Sequence, residues 1–308
     1  MKPGLKEKFL GGMIGSALGD AVGEMAFRYP ERKLLGAQIG RLKELSYTDD
    51  TAMAIGLAES ITKLEKIDQK DLGDTFRRHY RREPGRGYAQ GPLAVFSLVE
   101  RLGISYTEAA RRLFGGFGSY GNGGAMRIVP VGLFFHDHPQ IYEYASASAE
   151  VTHAHPVGMD GAAVQALAIA RAVGLDPDKP FPTSQFLQEL VEASRSLEIL
   201  EKLVLIQRLL IKETPPDEAA NQLGSTVTVH ESMPFALYSF LRYPKSFEEC
   251  LFSAVLHGGD RDTLGAMACA ISGTYLGIDA IPPHWSGKLE NRAYIANLAA
   301  TLAETKLR

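Results

Sequence analysis

Phe9-Leu10-Gly11-Gly12-Met13-Ile14-Gly15-Ser16-Ala17-Leu18-Gly19-Asp20-Ala21-Val22-Gly23 is the stretch that decides the fold class. With Leu5, its apolar residues recur at spacings of three and four, one helical face sustained for about five turns. Gly11, Gly12, Gly15, Gly19 and Gly23 interleave with that face. Each glycine costs roughly 1 kcal/mol in a helix relative to alanine, so the pattern predicts close approach by another helix or a ligand. Asp20 and Glu24 stand four apart near the end of this helix and share a face. Acidic groups oppose the dipole at a helix C-terminus, which points to function for the pair.

The same period continues along the chain. Helices are expected after Thr48 (Ala54, Ile55, Ala58, Ile61), from Asp68 to about Tyr80, over 93–102 between Pro92 and Gly103, and from a Ser105-x-x-Glu108 capping box to Phe114. Further helical patterns cover 141–151, 157–173, a hairpin over 187–211 turning near Arg195, 233–241, 247–256, 263–276 and 289–302. Residues 26–46 have no clear period, contain Pro30 and read as a loop over the site. Ser225-Thr226-Val227-Thr228-Val229 is the one candidate strand, too isolated to define a sheet. The expectation is an all-α chain, a single domain over residues 1–308.

The bulk numbers narrow the function classes. The 308 residues are 45% hydrophobic and 22% charged with a formal net charge of −3, which argues against a general nucleic-acid binder. The basic group Arg77, Arg78, Arg81, Arg82 and Arg86 reads as a solvated helix face. Cys250 and Cys269 sit inside apolar helical patterns, as small buried hydrophobes in a reducing compartment. Glu7 among the early lysines and the helical period that follows argue against a signal peptide, and no run approaches the roughly 18 apolar residues of a membrane span. A cytoplasmic protein without a membrane partner is expected.

Two acidic stretches carry the chemistry. In Gly258-Gly259-Asp260-Arg261-Asp262-Thr263, two carboxylates and a hydroxyl follow two glycines and precede a helical run. Capping that helix needs only one of them. Asp260 and Asp262, spaced by two, can point to the same side and offer the hard oxygen ligands that Mg²⁺ or Ca²⁺ demands, with Arg261 facing away. Tyr47-Thr48-Asp49-Asp50-Thr51 repeats the chemistry at a second helix start. Brought together, the two stretches would hold four carboxylates in one volume, where cations relieve their mutual repulsion.

A third stretch, Gly115-Gly116-Phe117-Gly118-Ser119-Tyr120-Gly121-Asn122-Gly123-Gly124, has backbone N–H groups free to approach an anion. It lacks the lysine and preceding strand of a nucleotide-binding loop. Ser119, Tyr120 and Asn122 add a hydroxyl, an aromatic face and an amide. In Thr152-His153-Ala154-His155-Pro156, His153 reads as a polar contact, because the histidines lack a third zinc ligand at matching spacing.

Gly19-Asp20-Ala21-Val22-Gly23, Tyr47–Thr51, Gly118–Arg127, Thr152-His153 and Gly258–Thr263 together resemble the ADP-ribosylglycohydrolase family, nearly end to end. Arg86-Gly87-Tyr88 and the Gly-Ser-Tyr-Gly-Asn-Gly-Gly run look most like the branch that removes serine-linked and polymeric ADP-ribose. The resemblance implies an all-α orthogonal bundle with a site for two Mg²⁺ ions. Its ligands would be Thr48, Asp49 and Asp50 from one corner and Asp260, Asp262 and Thr263 from the other. Gly87, Ser119, Tyr120 and Gly121, with Gly118 and Asn122 beside them, would line the diphosphate. Phe114 and Tyr120 would flank the adenine, and His153 would contact the distal ribose side. The branch's catalytic glutamate falls here on or near Phe27; this chain offers Glu24 as the catalytic carboxyl instead, or else one of the metal-site aspartates as the acid/base. The implied substrate is an ADP-ribose-modified protein or an ADP-ribose derivative. The competing readings are a hydrolase of arginine-linked ADP-ribose or of O-acetyl-ADP-ribose, and a non-catalytic ADP-ribose-binding relative.

Overall fold

A computed structural model describes residues 3–308; Met1 and Lys2, the start of the expected 1–308 domain, lie outside the described residues. Among those described there are eighteen α-helices, two short 3-10 turns and no β-strand. One contiguous apolar core runs through them, as expected of an all-α bundle.

The glycine-rich helix spans Leu5–Ala26 and lies antiparallel along Arg261–Leu276. A Cβ on Gly11 would meet the Gly273 carbonyl oxygen at 2.1 Å, one on Gly15 the Cys269 carbonyl at 2.6 Å, and one on Gly19 the Gly265 carbonyl at 2.1 Å. Gly23 closes the series, where a Cβ would lie 2.5 Å from the Asp262 Cα. Glycines four apart thus let two backbones touch, and the helix cost is offset by contact along the whole length. The contact also carries function, since it sets Asp20 of one helix against the acidic start of the other.

The helical periods materialise with shifted ends. Asp68 caps Gln69–Arg82, and Ser105 Oγ accepts from Glu108 N at 3.1 Å to start Tyr106–Arg111. Gly103, at φ 64°, ends Gln90–Leu102 in the left-handed region that glycine favours. The leucine-rich hairpin consists of Thr183–Ala193 and Leu197–Ile211. Its turn is held by the buried Asp160 carboxylate, which accepts from Ser194 Oγ at 3.1 Å, Arg195 N at 3.1 Å and Ser196 N at 2.8 Å.

Two expectations are corrected. Residues 26–46 are not all loop, for Arg32–Arg41 is a helix. Only Leu35 and Ile39 are buried there, and one i, i+4 pair is too short a period to read in sequence. The candidate strand at 225–229 has no ladder. Thr228 makes a single antiparallel bridge to Gly121, and a helix begins at Val229, so the stretch is an extended brace and not a sheet strand. Of the basic group, Arg77, Arg78 and Arg81 pair with Asp74, Glu59 and Glu100 on the surface, whereas Arg86 turns inward. No helix among the described residues is long and apolar enough to cross a membrane.

Candidate active site

The first acidic corner is assembled by a residue from another helix. Asp20, fully buried, accepts from Thr48 N at 3.0 Å, Thr48 Oγ1 at 2.8 Å, Thr51 N at 3.0 Å and Thr51 Oγ1 at 2.5 Å. It therefore shares the capping of the Asp49–Leu64 helix from across the core with Thr48, whose Oγ1 accepts from Asp50 N at 3.4 Å. Neither the Asp49 nor the Asp50 carboxylate is spent on the cap, although Asp50 Oδ2 lies 3.1 Å from the Thr48 hydroxyl. Asp50 Oδ1 is buried without any hydrogen-bond donor. Arg86 braces the corner from outside: it forms a two-pronged ion pair with Glu290, donates to the Tyr47 carbonyl at 3.1 Å, and its own carbonyl accepts from Asp49 N at 2.8 Å.

The second corner rests on the extended brace. Asp260 N donates to the Ser225 carbonyl at 2.8 Å. Gly259 adopts φ 69°, and a Cβ there would sit 1.8 Å from the Ser225 oxygen, so glycine is required on both counts. The brace also holds the glycine-rich loop, with Asn122 N bonded to the Val227 carbonyl at 2.9 Å and Val229 N to the Tyr120 carbonyl at 3.0 Å. Asn122 Nδ2 then donates to Asp260 Oδ2 at 2.7 Å. Loop and corner thus form one unit. Asp260 starts the helix without capping it through its side chain, and Arg261 turns back to the Val255 carbonyl.

Between these parts lies a cleft of about 780 Å³. Asp49, Asp50, Asp260, Asp262 and Thr263 line it together with Gly87, Phe114, Gly118, Ser119, Tyr120, Gly121, Asn122 and His153. Thr48 lies beneath, with its hydroxyl between Asp20 and Asp50. Phe114, Phe117 and Tyr120 line the same cleft yet are 66%, 75% and 46% exposed, and with Tyr120 set 5.3 Å from the edge-on ring of His155 they offer aromatic surface suited to a planar ligand. Glu24 is not brought to this group. Its side chain is exposed and does not line the cleft, although neighbouring Gly23 packs on Asp262. Phe27 is exposed as well.

Burial, compounded by mutual repulsion, raises the carboxyls. Asp49 is pushed up to about 7 by burial and by Asp20 and Asp260, and Asp262 to about 8 by burial and by Asp260 and Asp20. Asp50 is held well above the carboxylate range by burial and by four neighbouring aspartates. Asp20 reaches about 6, burial outweighing its four hydrogen bonds from Thr51 and Thr48. Among the described residues no three acidic, histidine or cysteine groups stand in ready coordination geometry. The donor set nonetheless fits a hard divalent cation: all its ligand atoms are oxygens, one is an orphan, and positive charge would relieve a strain the protein itself leaves unrelieved. Arg127, a cation behind the site, is fully buried and lowered to about 9 by burial.

This predicts an unusual stability profile. Asp49 and Asp262 keep protons in the folded chain at a pH where the unfolded chain has lost them, so stability falls as pH climbs through their folded values. His153 and His257, both lowered by burial, are neutral in either state above pH 7 and do not mask the effect. In a chelator, Tm should fall by roughly 2–4 °C between about pH 7 and 8.5. A Tm that holds or rises there would show the aspartates to be relieved by some other charge.

Thr48, Asp49, Asp50, Asp260, Asp262 and Thr263 were readable as clusters, but Asp20, Met53, Gln90, Phe117, His155 and Thr228 complete the site without such a signal. Asp20 stands out in the sequence as half of an acidic pair with Glu24 near a helix C-terminus, but nothing there marks it as a cap for another helix. Met53 and Met126 carry no pattern that separates them from core.

Comparison with known proteins bears on this geometry. The family model described as ADP-ribosylglycohydrolase matches residues 1–308. The chain is 32% identical to the ADP-ribosylhydrolase ARH3 of Homo sapiens, over 96% of this chain and 92% of that protein. It is 35% identical to the ADP-ribosylhydrolase ARH3 of Xenopus tropicalis, over 93% and 91%. Among solved structures it is similar to a chain described as an ADP-ribosylglycohydrolase-related protein complex, with a TM-score of 0.74 and 25% identity over 98% of this chain and 99% of that one.

Proposed function

Because the chain belongs to the ADP-ribosylglycohydrolase family and is a glycosyl hydrolase, we propose that it cleaves the bond at C1″ of ADP-ribose attached to protein serine or to a further ADP-ribose unit, with two Mg²⁺ ions held by its acidic corners. The carrying observation is the cap shared by Asp20 and Thr48, which draws on neither the Asp49 nor the Asp50 carboxylate and leaves Asp50 Oδ1 unpartnered. Thr48, Asp49, Asp50, Asp260, Asp262 and Thr263 are the proposed ligands. Divalent cations held by these residues would supply Lewis-acid chemistry at the reacting ribose.

The chain's own residues do the rest. Phe114, Phe117 and Tyr120 stack on the adenine, and the Gly118–Asn122 backbone with Gly87 approaches the diphosphate without side chains in the way. This binding energy, spent away from the reacting carbon, fixes the sugar over the carboxylates. Departure of the leaving group through an oxocarbenium-like transition state needs a carboxyl in reach to handle a proton. Asp49 and Asp262 line the cleft and Glu24 does not. We therefore expect Glu24→Gln to keep turnover within about threefold, and a drop beyond about tenfold in a steady-state assay would return the proton to Glu24.

The test is release of ADP-ribose from serine-, arginine- and poly-linked substrates, each with and without EDTA. Release from the serine and poly linkages, abolished by EDTA and restored by Mg²⁺, is the expected result. Release from the arginine linkage alone would reassign the substrate, and tight binding without release would make the protein a non-catalytic binder. The free, buried Cys250 and Cys269 support the reducing cytoplasm as its place of action.

A further inference from the structure

Behind the cleft lies a polar chain that the proposed chemistry does not use. Arg127 is fully buried, and no carboxylate forms an ion pair with it among the described residues. Its guanidinium lies 4.6 Å from the Phe76 ring centre, and Nη2 donates to the Ser148 carbonyl at 3.3 Å and to Thr152 Oγ1 at 2.8 Å. Thr152 Oγ1 in turn lies 2.8 Å from His153 Nδ1. On its far side the imidazole meets the glycine-rich loop: a Cβ on Gly123 would come 2.9 Å from Nε2, so only glycine admits the ring. His153 lines the cleft, and Nε2 has no protein partner among the described residues.

Proton counting along this chain has one solution. A guanidinium has donors only, so Thr152 Oγ1 must accept from Arg127. Thr152 is fully buried, and among the described residues its own proton has one acceptor in reach, His153 Nδ1. Were Nδ1 protonated instead, the buried hydroxyl proton would be stranded, which native interiors avoid. We infer that Arg127 and Thr152 are positioning residues that lock His153 in the Nε2–H tautomer, making it a one-way hydrogen-bond donor to an acceptor oxygen of the ligand. Burial and the nearby Arg127 charge also lower its pKa to about 3, so the ring stays neutral. The donor is then insensitive to pH over the working range, and it discriminates against any ligand that presents an N–H or a cation at this point. Identifying the ligand as ADP-ribose rests on the proposed function; the tautomer does not.

The test has two arms. Long-range ¹H–¹⁵N correlation spectra of histidine-labelled, ligand-free protein at about pH 7 should show His153 protonated at Nε2 alone. A ring protonated at Nδ1, or at both nitrogens, overturns the inference whatever the enzyme's substrate. In the second arm, calorimetric affinity for ADP-ribose and for ADP is measured in Thr152→Val and Thr152→Ser. The serine variant keeps the hydroxyl and should bind as wild type, while valine should weaken ADP-ribose by about tenfold. Weakening of ADP-ribose alone identifies a hydroxyl of the distal ribose as the acceptor, and equal weakening of ADP identifies a phosphate oxygen. Unchanged affinity for both in Thr152→Val overturns the positioning role. Should the valine variant not fold, the wild-type spectrum and Thr152→Ser still decide. Failure of ADP-ribose to bind wild type would remove the proposed function and leave the tautomer assignment standing.

Discussion

Asp50→Asn should abolish the rise in Tm that Mg²⁺ induces and cut turnover by at least about 10³-fold, while raising the Tm of the chelated protein at about pH 8. The two signs come from one cause. Asp50 is buried among Asp20, Asp262, Asp49 and Asp260, which hold its pKa well above the ordinary range, and its Oδ1 has no donor. Asparagine keeps the shape and removes the charge, so the cation-free fold is relieved of a repelling carboxyl and the site loses a ligand. A surface or merely structural aspartate would lose stability, or nothing, on the same substitution. Calorimetric titration with Mg²⁺, thermal melts with and without EDTA, and a single-turnover assay read the three parts separately. An Asp50→Asn protein that still binds Mg²⁺ and turns over would remove Asp50 from the ligand set. Stability given up for a functional charge cluster is the expected direction of trade.

The second large effect is on the fold. Gly19→Ala should destabilise the protein by about 3 kcal/mol, against the roughly 1 kcal/mol that helix propensity alone would add to stability. The added methyl would stand 2.1 Å from the Gly265 carbonyl oxygen and 2.4 Å from its carbon, and neither backbone can yield without parting the two helices. Because Asp20 follows immediately, its grip on Thr48 and Thr51 should loosen too, and Mg²⁺ affinity should fall with stability. Gly36→Ala is the control. That glycine lies inside Arg32–Arg41, where an added methyl would meet nothing within 4 Å, so alanine should stabilise by about 0.5–1 kcal/mol. Denaturant melts of both variants give the comparison, and a Gly19→Ala protein as stable as wild type would mean that the close approach is not needed.

The residue types alone carried the helical class and the two acidic corners. An apolar period of three and four survives in any tertiary context, and paired aspartates beside glycines have few structural uses. The glycine interleaving of Leu5–Ala26 foretold a close partner without saying which. That partner, Arg261–Leu276, lies far along the chain, and local propensity holds no information across such a distance. Only the packed chain decided that Asp20 would help Thr48 cap a foreign helix and keep the Asp49 and Asp50 carboxylates out of that duty, since a carboxylate's role depends on which donors surround it. Likewise Arg32–Arg41 and the Ser225–Val229 brace take their conformations from neighbours rather than from their own pattern. Glu24 marks the boundary from the other side: its sequence position put it on the face of Asp20, and one turn of helix was enough to carry its side chain out into solvent.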